Sequence, residues 1–301
     1  MIMSNMGWTF VVVPGLIWGA SFLFIAEGLQ AVAPMGVTFV RIAIGFATLS
    51  LVPSARRPIL REDRPKTGAL GILWLAFPLS MFPFAEQHVS SALAGMLNGA
   101  TPLFAALVAS LLARRPPQPK VALGLAVGFA GAVLIALPGL SNLTILSGQT
   151  RGVLMILAAL VSYAFAYSLA RPLQQRNGAL PVIWRALGVA LVLTAPFGVP
   201  AVASAHWTAR SLGSLVALGA LGTGVAYAML ATAAGRLDAT RAAANNYIIP
   251  VVSLLLGVGV RHEQVSRVSI VGAAVCLTGA WLIKPSNVRH EPAPATQAAA
   301  S

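Results

Sequence analysis

The sequence predicts an all-α polytopic membrane protein, in which ten transmembrane helices form two inverted five-helix repeats around a central cavity. Three observations predict this fold class. The 301 residues are 57% hydrophobic and only 9% charged, whereas soluble domains carry about 25% charged residues. Apolar runs of roughly 18–22 residues, long enough to span a hydrocarbon core of about 30 Å, separate the clusters of charge. A pattern at residues 98–102 recurs at 246–250, which indicates an internal duplication.

Each predicted span is an apolar run bounded by charges, prolines or polar turns. The first run is followed by AVAP at 31–34, which resembles a signal-peptide cleavage site, but it lacks a basic n-region and is too long for an h-region. The spans are expected at about residues 8–26, 34–53, 68–85, 90–112, 120–138, 151–170, 181–202, 213–232, 239–260 and 267–284. The repeats are expected over residues 1–138 and 151–284. Residues 285–301, small and polar with three prolines, are expected to be a disordered cytoplasmic tail.

The distribution of Lys and Arg predicts the orientation. The net charge is +13, which on a soluble chain would suggest a nucleic-acid partner. If the N-terminus is cytoplasmic, fourteen basic residues fall in cytoplasmic loops and four in the opposite loops, while Arg41 and Arg185 lie inside spans. Basic loops are retained on the cytoplasmic side of membranes. We therefore expect both termini in the cytoplasm and no nucleic-acid partner.

The duplication centres on two Asn–Pro pairs. NGATP at 98–102 and NYIIP at 246–250 are 148 residues apart, and the same shift aligns two pairs of glycines. It also aligns Ser90 with Asp238, and both residue types are good helix N-caps. Each half has five spans, an odd number, so the second half enters the membrane from the opposite side. Inverted repeats are typical of secondary transporters, which bind substrate near the midplane between the repeats.

The two prolines predict where polar groups meet the cavity. A helical proline frees the carbonyl four residues earlier, which belongs to Asn98 for Pro102 and to Asn246 for Pro250. Lipid cannot satisfy such groups, so they face protein or a wet cavity. Each Asn lies about 12 Å beyond its predicted cap, near the midplane. Either the amides line the cavity, which we favour, or they only bond neighbouring helices. The prolines are expected to act as hinges.

Aromatic residues are the other candidates for the cavity wall. Trp18 and Tyr163 lie deep in their spans, and a buried Trp or Tyr needs a hydrogen-bond partner. Lining a substrate path and simple packing both explain them. Weaker candidates of the same kind are Phe22, Phe82, Tyr167, Tyr227 and Tyr247. The tryptophans near span ends, which are expected in the interfacial belt, are Trp8, Trp184, Trp207 and Trp281.

Charges inside the spans are rare. Arg41 lies about 10 Å into the second span. We favour a side chain that snorkels outwards or pairs with another helix. The alternative is that it binds a carboxylate of the substrate. No acidic residue lies in the middle of a span. Coupling through a midplane carboxylate is therefore unsupported, and we expect facilitated transport down a gradient, or coupling by an unusual route. Glu86 and His88 flank the short outer turn between the third and fourth spans. We expect them to be solvated loop residues, and the alternative is that they guard the outer mouth of the transport path.

Signatures of enzymes and metal sites are absent from the sequence. It contains no H-E-x-x-H, no Walker loop and no dinucleotide-binding glycine motif after a strand. The single cysteine, Cys276, makes neither an intrachain disulfide nor a metal site by itself, and is expected to be a small packed side chain. We expect no enzymatic activity, no metal and no cofactor.

Three stretches together resemble one known family. LIWGASFLFI (16–25), HVSSALAGMLNGATPLFAALVA (88–109) and RHEQVSRVSIVGAAVCLTGAWLI (261–283) are similar to the first-span, fourth-span and ninth-to-tenth-span signatures of the EamA branch of the drug/metabolite transporter superfamily. The resemblance covers residues 8–284. It implies a basket-like bundle with a central cavity that exports amino acids or related metabolites across the bacterial inner membrane. This chain departs from the family pattern at one position. Members often carry an acidic residue at the fourth-to-fifth-span turn as well as at the ninth-to-tenth, but here the counterpart of Glu263 in the first half is Arg115. We therefore expect Glu263 to have a structural role.

The predicted function is therefore secondary transport by alternating access, exporting amino acids or similar small metabolites from a midplane site. The partners expected are the small-molecule substrate and the lipid bilayer, with no obligatory protein partner. The alternatives are a multidrug or nucleotide-sugar carrier on the same fold, a passive channel, and a membrane protein without transport activity, such as a sensor or an assembly factor.

Overall fold

The computed structural model describes residues 2–139, 148–233 and 245–283, and within these ranges the chain is helical and forms no strand. The all-α fold predicted from the apolar runs is confirmed for this part of the chain. Three predicted features lie outside the described residues: the Asp238 cap, the first part of the 239–260 span, and the disordered tail at 285–301.

Ten helices follow one another in the described ranges when segments joined by a π-helical turn or a kink are counted as one. They are α1 (Ile2–Gly28), α2 (Pro34–Ser50), α3 (Arg64–Leu70, Gly71–Ala76 and Phe77–Glu86), α4 (Ser91–Asn98 and Thr101–Ala113), α5 (Pro119–Ala136), α6 (Gly148–Asn177), α7 (Ala179–Ala203), α8 (Ala209–Ala217, Leu218–Val225 and Ala226–Ala233), α9 (Asn245–Arg261) and α10 (Arg267–Leu282).

Seven of these helices, α1 and α3 to α8, are long and apolar enough to cross a membrane, while α2, α9 and α10 are apolar but shorter. Each predicted span contains one helix, with shifted ends. α2 ends at Ser50 because a 3₁₀ turn begins at Pro53, and proline disfavours the helical conformation of the residue before it. α6 continues to Asn177, since Arg171 and Arg176 can extend their side chains to water.

The helices pack in pairs that recur between the two halves of the chain. α2 packs against α7 and against the π-helical turn of α8, and α7 packs against the π-helical turn of α3. α1 contacts α8 and α9, as α6 contacts α3 and α4. α4 crosses α9, and α5 packs along α10. When α1 to α5 are matched in order with α6 to α10, each of these contacts has a counterpart.

Both halves interrupt one helix with a π-helical turn, Gly71–Ala76 in α3 and Leu218–Val225 in α8. The 148-residue shift places Gly71 on Gly219. A Cβ at Gly71 would lie 2.7 Å from the carbonyl oxygen of Ala186 on α7, and one at Gly219 would lie 3.0 Å from that of Arg41 on α2. Small residues of this kind let helix backbones approach closely, so both turns sit at equivalent tight contacts.

A seam of glycines joins α5 to α10. Gly131 lies directly against the backbone of Cys276, and Gly279 lies against the backbone of Gly128. A Cβ at either position would overlap main-chain atoms that no side-chain rotation can move. Cys276 is 1% exposed, which confirms the small packed side chain predicted for it. The glycine spacing therefore serves packing within the bundle.

Candidate functional site

A cavity of about 250 Å³ lies inside the bundle, enclosed by α1, α2, α3, α4, α6, α8 and α9. Its wall combines aromatic rings with one guanidinium, three side-chain amides and two aliphatic hydroxyls. The lining residues are Trp18, Ser21, Phe22, Ile25, Arg41, Trp74, Leu79, Phe82, Asn98, Thr101, Tyr163, Tyr167, Tyr227, Leu230, Asn245, Asn246 and Ile249. A mostly apolar concave wall with a few polar groups is typical of small-molecule sites.

Seven aromatic rings form a continuous chain of contacts around this cavity, with neighbouring centroids 5.4–6.2 Å apart. In order of contact they are Phe22, Phe82, Tyr163, Tyr167, Trp74, Tyr227 and Trp18. Edge-to-face and stacked pairs at such distances each stabilise by about 0.5–1.5 kcal/mol beyond the burial of their surface. Rings from α1, α3, α6 and α8 thus hold one another in fixed positions.

Trp18 finds its hydrogen-bond partner in the backbone. Its Nε1–H donates to the carbonyl of Gly222, 2.8 Å away, in the π-helical turn of α8. The N–H of Ala226 bonds to the carbonyl of Leu221, five residues back, so it does not compete for the carbonyl of Gly222. π-Helical turns are frequent at functional sites, and here the turn leaves the carbonyl of Gly222 available to Trp18.

Arg41 does not snorkel. Its side chain is 6% exposed, it borders the cavity, and its Nε–H donates to Thr223 Oγ1 on α8 at 3.0 Å. The ion pairs found within the described residues do not include it. The pairing with another helix that the sequence favoured is therefore present. Arg41 also borders the cavity, as the alternative of binding a substrate carboxylate requires. A buried charge of this kind needs a counter-charge or several hydrogen bonds.

The carbonyl that Pro102 frees is satisfied locally. Thr101 Oγ1 donates to the main-chain oxygen of Asn98 at 2.6 Å, and α4 is interrupted between these residues. In the second half, Asn245 Oδ1 is buried with no hydrogen-bond partner in the described part of the protein, and Asn246 lies next to it on the cavity wall. The start of α9 thus presents two neighbouring amides.

Pro250 lies where α4 crosses α9. Gly99 packs against the ring of Pro250, and Gly95 packs against Ser253. Ser253 Oγ donates to the main-chain oxygen of Pro250 at 3.0 Å. Neither Pro102 nor Pro250 lines the cavity, so their hinge role stays a prediction about how the two helices move.

The structure brings most of the predicted site residues to one place. Those on the cavity wall are Trp18, Phe22, Phe82, Asn98, Tyr163, Tyr167, Tyr227 and Asn246. Tyr247 does not line the cavity and packs against the apolar core instead, because it faces another side of α9 from its neighbours Asn245 and Asn246. Lining a cavity is a matter of position, and a binding role for these residues stays a prediction.

Sequence reasoning missed several wall residues. Among them, Trp74 adds an aromatic ring and Asn245 adds an amide, while Ser21 and Thr101 add hydroxyls. Asn245 had an available signal, since it adjoins Asn246 in the sequence ANNYIIP. Trp74 had only its depth within the third span, which does not reveal the side of the helix that faces the cavity.

An ion-pair network ties one end of the bundle. Glu27, near the end of α1, binds Arg210 of α8 and Arg261 of α9, each at 2.6 Å. Arg261 also lies 3.4 Å from Glu263, in the turn between α9 and α10. The Glu27 side chain is only 9% exposed. These pairs join the ends of three cavity-forming helices.

Glu263 extends the network to the start of α4. Its carboxylate accepts hydrogen bonds from the N–H of Ser91 (3.1 Å), the hydroxyl of Ser91 (2.8 Å) and the N–H of Ala92 (2.9 Å). Ser90 Oγ accepts from the N–H of Leu93 at 3.2 Å, which confirms Ser90 as the predicted N-cap. A carboxylate at a helix N-terminus is favourable, so the contacts of Glu263 agree with the structural role expected for it.

Replacing Glu263 by alanine is expected to lower stability by roughly 2 kcal/mol, because two partly buried backbone N–H groups lose their acceptor. Thermal unfolding followed by a thiol-reactive dye on the buried Cys276 measures the change. The matched control is Glu62→Ala at the other end, where the glutamate side chain is 67% exposed and its ion pair contributes little. Equal shifts in Tm for the two variants would contradict the capping role.

The opposite end is held by a separate cluster. Arg176 at the end of α6 pairs with Glu62 and, at 3.3 Å, with Asp63 before α3. Asn177 Nδ2 donates to Asp63 Oδ2 at 2.7 Å, and its Oδ1 accepts from the N–H of Leu60 at 2.8 Å. The cavity therefore lies between two ends that are both tied by polar contacts.

The expectation of a solvated Glu86 is wrong. Both of its carboxyl oxygens are buried and have no hydrogen-bond partner in the described part of the protein, while His88 is exposed. The first turns of α6 cover this end of α3: a Cβ at Gly152 would lie 3.0 Å from the carbonyl oxygen of Ala85. Burial at a span end depends on which helix packs there, and the turn sequence does not encode it.

A family model described as the EamA-like transporter family matches residues 5–137 and again residues 150–284. A solved structure titled "Crystal structure of protein" superposes with a TM-score of 0.65 over 93% of this chain and 96% of that one, at 20% identity. At this identity the likeness shows a shared fold alone.

Three relatives align over most of their length. A protein of Streptantibioticus cattleyicolor named a probable terminal-alkyne amino-acid exporter is 26% identical over 88% of this chain and 89% of its own. A protein of Escherichia coli K12 named the uncharacterized inner membrane transporter YedA is 28% identical over 89% of this chain and 87% of its own. A protein of Archaeoglobus fulgidus named an uncharacterized transporter is 22% identical over 92% of this chain and 98% of its own.

Proposed function

Because this chain belongs to the EamA-like transporter family and is a membrane transporter rather than an enzyme, we propose that it exports amino acids or related small metabolites by alternating access. The cavity between the helices is the proposed substrate site. The observation that carries the proposal is the joint presence, within a ring of aromatic side chains, of neighbouring amides and a buried guanidinium that forms no ion pair with the described residues.

The architecture proposed is ten transmembrane helices in two inverted repeats, residues 1–138 and 151–284, with residues 285–301 as a disordered cytoplasmic tail. Support comes from the two matches to one family model, the two π-helical turns in equivalent register and the matching helix contacts of the two halves. The excess of basic residues on one set of loops favours cytoplasmic termini in the bacterial inner membrane.

An amino acid fits the chemistry of the wall. Arg41 offers charge-assisted hydrogen bonds to a carboxylate. The unpartnered oxygen of Asn245 can accept a hydrogen bond from an ammonium group, and the faces of Trp18 and Trp74 attract cations. The name of the Streptantibioticus relative points to the same substrate class. The same name describes an exporter, which favours outward transport by this protein.

The size of the cavity separates the alternatives on this fold. At about 250 Å³ it lies just below the range of about 300–1,000 Å³ found for drug-sized ligands, which favours a small metabolite over a multidrug or nucleotide-sugar substrate. Polar contacts tie both ends of the bundle, which favours a gated carrier over an open channel. The bilayer and the small molecule are the only partners that the proposal requires.

Counterflow in proteoliposomes tests the proposal. Liposomes loaded with one unlabelled amino acid are expected to accumulate the labelled compound transiently, with saturation and with competition among a subset of a twenty-amino-acid panel. Flux that rises linearly with concentration and shows no counterflow would identify a channel. No flux for any amino acid under any gradient would refute the substrate class.

Asn98→Ala and Asn246→Ala are each expected to reduce the counterflow rate about tenfold, the effect of one lost hydrogen bond worth roughly 1–1.5 kcal/mol. Asn177→Ala is the matched control, since Asn177 bonds Asp63 and Leu60 far from the cavity. If both cavity variants fold and transport at the full rate, the site assignment is wrong.

A further inference from the structure

A second concave site lies away from the cavity, on the membrane-facing side of α2, α3 and α7. It is a groove of about 500 Å³ in which two arginines stand at the end of an otherwise apolar wall. The lining residues are Phe46, Ile59, Arg64, Thr67, Gly68, Trp184, Arg185, Gly188, Val189, Val192 and Leu193. None of them takes part in the proposed transport mechanism.

The two arginines of this groove have no acidic partner in the described ranges. Ion pairs there engage Arg176, Arg210 and Arg261 instead. Arg64 is the first residue of α3, and Arg185 lies six residues into α7, about 9 Å from its start. The two positive charges act on one another unfavourably. An anion placed between them would remove this repulsion and accept hydrogen bonds from both guanidinium groups.

Arg185 is held in place by its neighbours. Its guanidinium carbon lies 5.3 Å from the centroid of the Trp184 ring, and Nη1–H donates to the carbonyl of Pro181 at 3.1 Å. Trp184 itself stacks on Phe46 at 5.2 Å and donates from Nε1 to Ser50 Oγ at 2.7 Å. The positive end of the groove is therefore built before any ligand arrives, which lowers the entropy lost on binding.

The apolar part of the groove continues from Arg185 along α7. Val189, Val192 and Leu193 follow it, and the eight residues from Arg185 to Leu193 cover about 12 Å. Val192 is 71% exposed and Leu193 is 44% exposed, so both face lipid in a membrane. A glycine at 188 keeps the floor open: a Cβ there would meet only the Phe46 ring, at 3.4 Å.

We propose that this groove binds an anionic phospholipid, with its phosphate between Arg64 and Arg185 and an acyl chain along Val189, Val192 and Leu193. Basic pockets between helices on the cytoplasmic side are suited to anionic headgroups. The loop before α3 adds further positive charge at the same end through Arg56, Arg57 and Arg61, and the first turn of α3 adds Lys66. A free phosphate would contact the two arginines but leave the apolar wall of the groove empty. A zwitterionic lipid would place the positive charge of its own headgroup near the two arginines.

Thermal unfolding of the purified full chain in detergent tests the proposal, with a thiol-reactive dye reporting on Cys276, the single cysteine. Phosphatidylglycerol is expected to raise Tm by on the order of 5 °C, since a ligand bound only to the folded state stabilises it by mass action. Phosphatidylcholine with the same acyl chains and inorganic phosphate are expected to give no shift. A shift of equal size with phosphatidylcholine or with phosphate alone would overturn the proposal.

Variants tie the effect to the groove. The double substitution Arg64→Gln/Arg185→Gln is expected to abolish the phosphatidylglycerol shift, while the control Arg56→Gln/Arg57→Gln, which removes two charges from the same end, keeps it. Gly188→Leu, which fills the groove without changing charge, is also expected to abolish the shift. Gly213→Leu, at a glycine with open space around it, is its matched control. A full shift in folded protein carrying either groove substitution would refute the site.

Discussion

Replacing Arg41 by glutamine is expected to reduce amino-acid counterflow by about a hundredfold or more without unfolding the protein. In the proposed site the guanidinium pairs with the substrate carboxylate inside the cavity, and losing a buried charged partner costs about 2–5 kcal/mol. The free protein loses only the bond from Nε to Thr223. Removing a buried, unpaired charge is often neutral or stabilising, so Tm should fall little or rise.

The rate of counterflow at several substrate concentrations, together with Tm, measures this effect. Arg151→Gln is the control, because Arg151 is exposed near the start of α6 and its charge is remote from the proposed site. Arg41→Lys should restore only part of the activity, since an ammonium group cannot form the paired hydrogen bonds of a guanidinium.

The substrate provides the complementary test. Wild-type protein should transport free amino acids and discriminate strongly against their methyl esters, whereas Arg41→Gln should lose this discrimination. If the wild type transports esters and acids equally well, Arg41 does not bind a carboxylate, and its role is confined to joining α2 to α8.

Introducing a single methyl group into the glycine seam is expected to have the largest effect on folding. Gly131→Ala and Gly279→Ala each place a Cβ against main-chain atoms of the partner helix, Cys276 and Gly128 respectively. Overpacking costs about 1–3 kcal/mol where side chains can adjust and more where they cannot. We expect a loss of at least about 3 kcal/mol, since α5 and α10 must separate along their contact.

Circular dichroism during heating measures this loss without relying on Cys276, which touches Gly131. Gly213→Ala is the matched control, because a Cβ at Gly213 meets nothing within 4 Å and alanine stabilises helices relative to glycine by up to about 1 kcal/mol. Folded Gly131→Ala protein with an unchanged unfolding temperature would show that the seam opens at little cost.

The sequence by itself determined the elements of this protein and much of its chemistry. Within the described ranges each predicted span contains a helix, because a backbone in lipid must satisfy its own hydrogen bonds and apolar runs therefore form helices. Local rules also held: Ser90 caps α4, and the carbonyl freed by Pro102 finds a partner three residues on, in Thr101. Such effects depend only on residues a few positions apart in the chain, so they can be predicted from the sequence.

Only the tertiary structure decided which face of each helix meets the cavity. Arg41 turns inwards to Thr223, 182 residues away, Asn245 rather than Tyr247 lies on the wall, and Glu86 is buried. Glu263 caps a helix that starts 172 residues earlier. The physical reason is that hydropathy in a membrane span is nearly uniform around the helix, so the rotation of each helix is set by close contacts with partners distant in sequence.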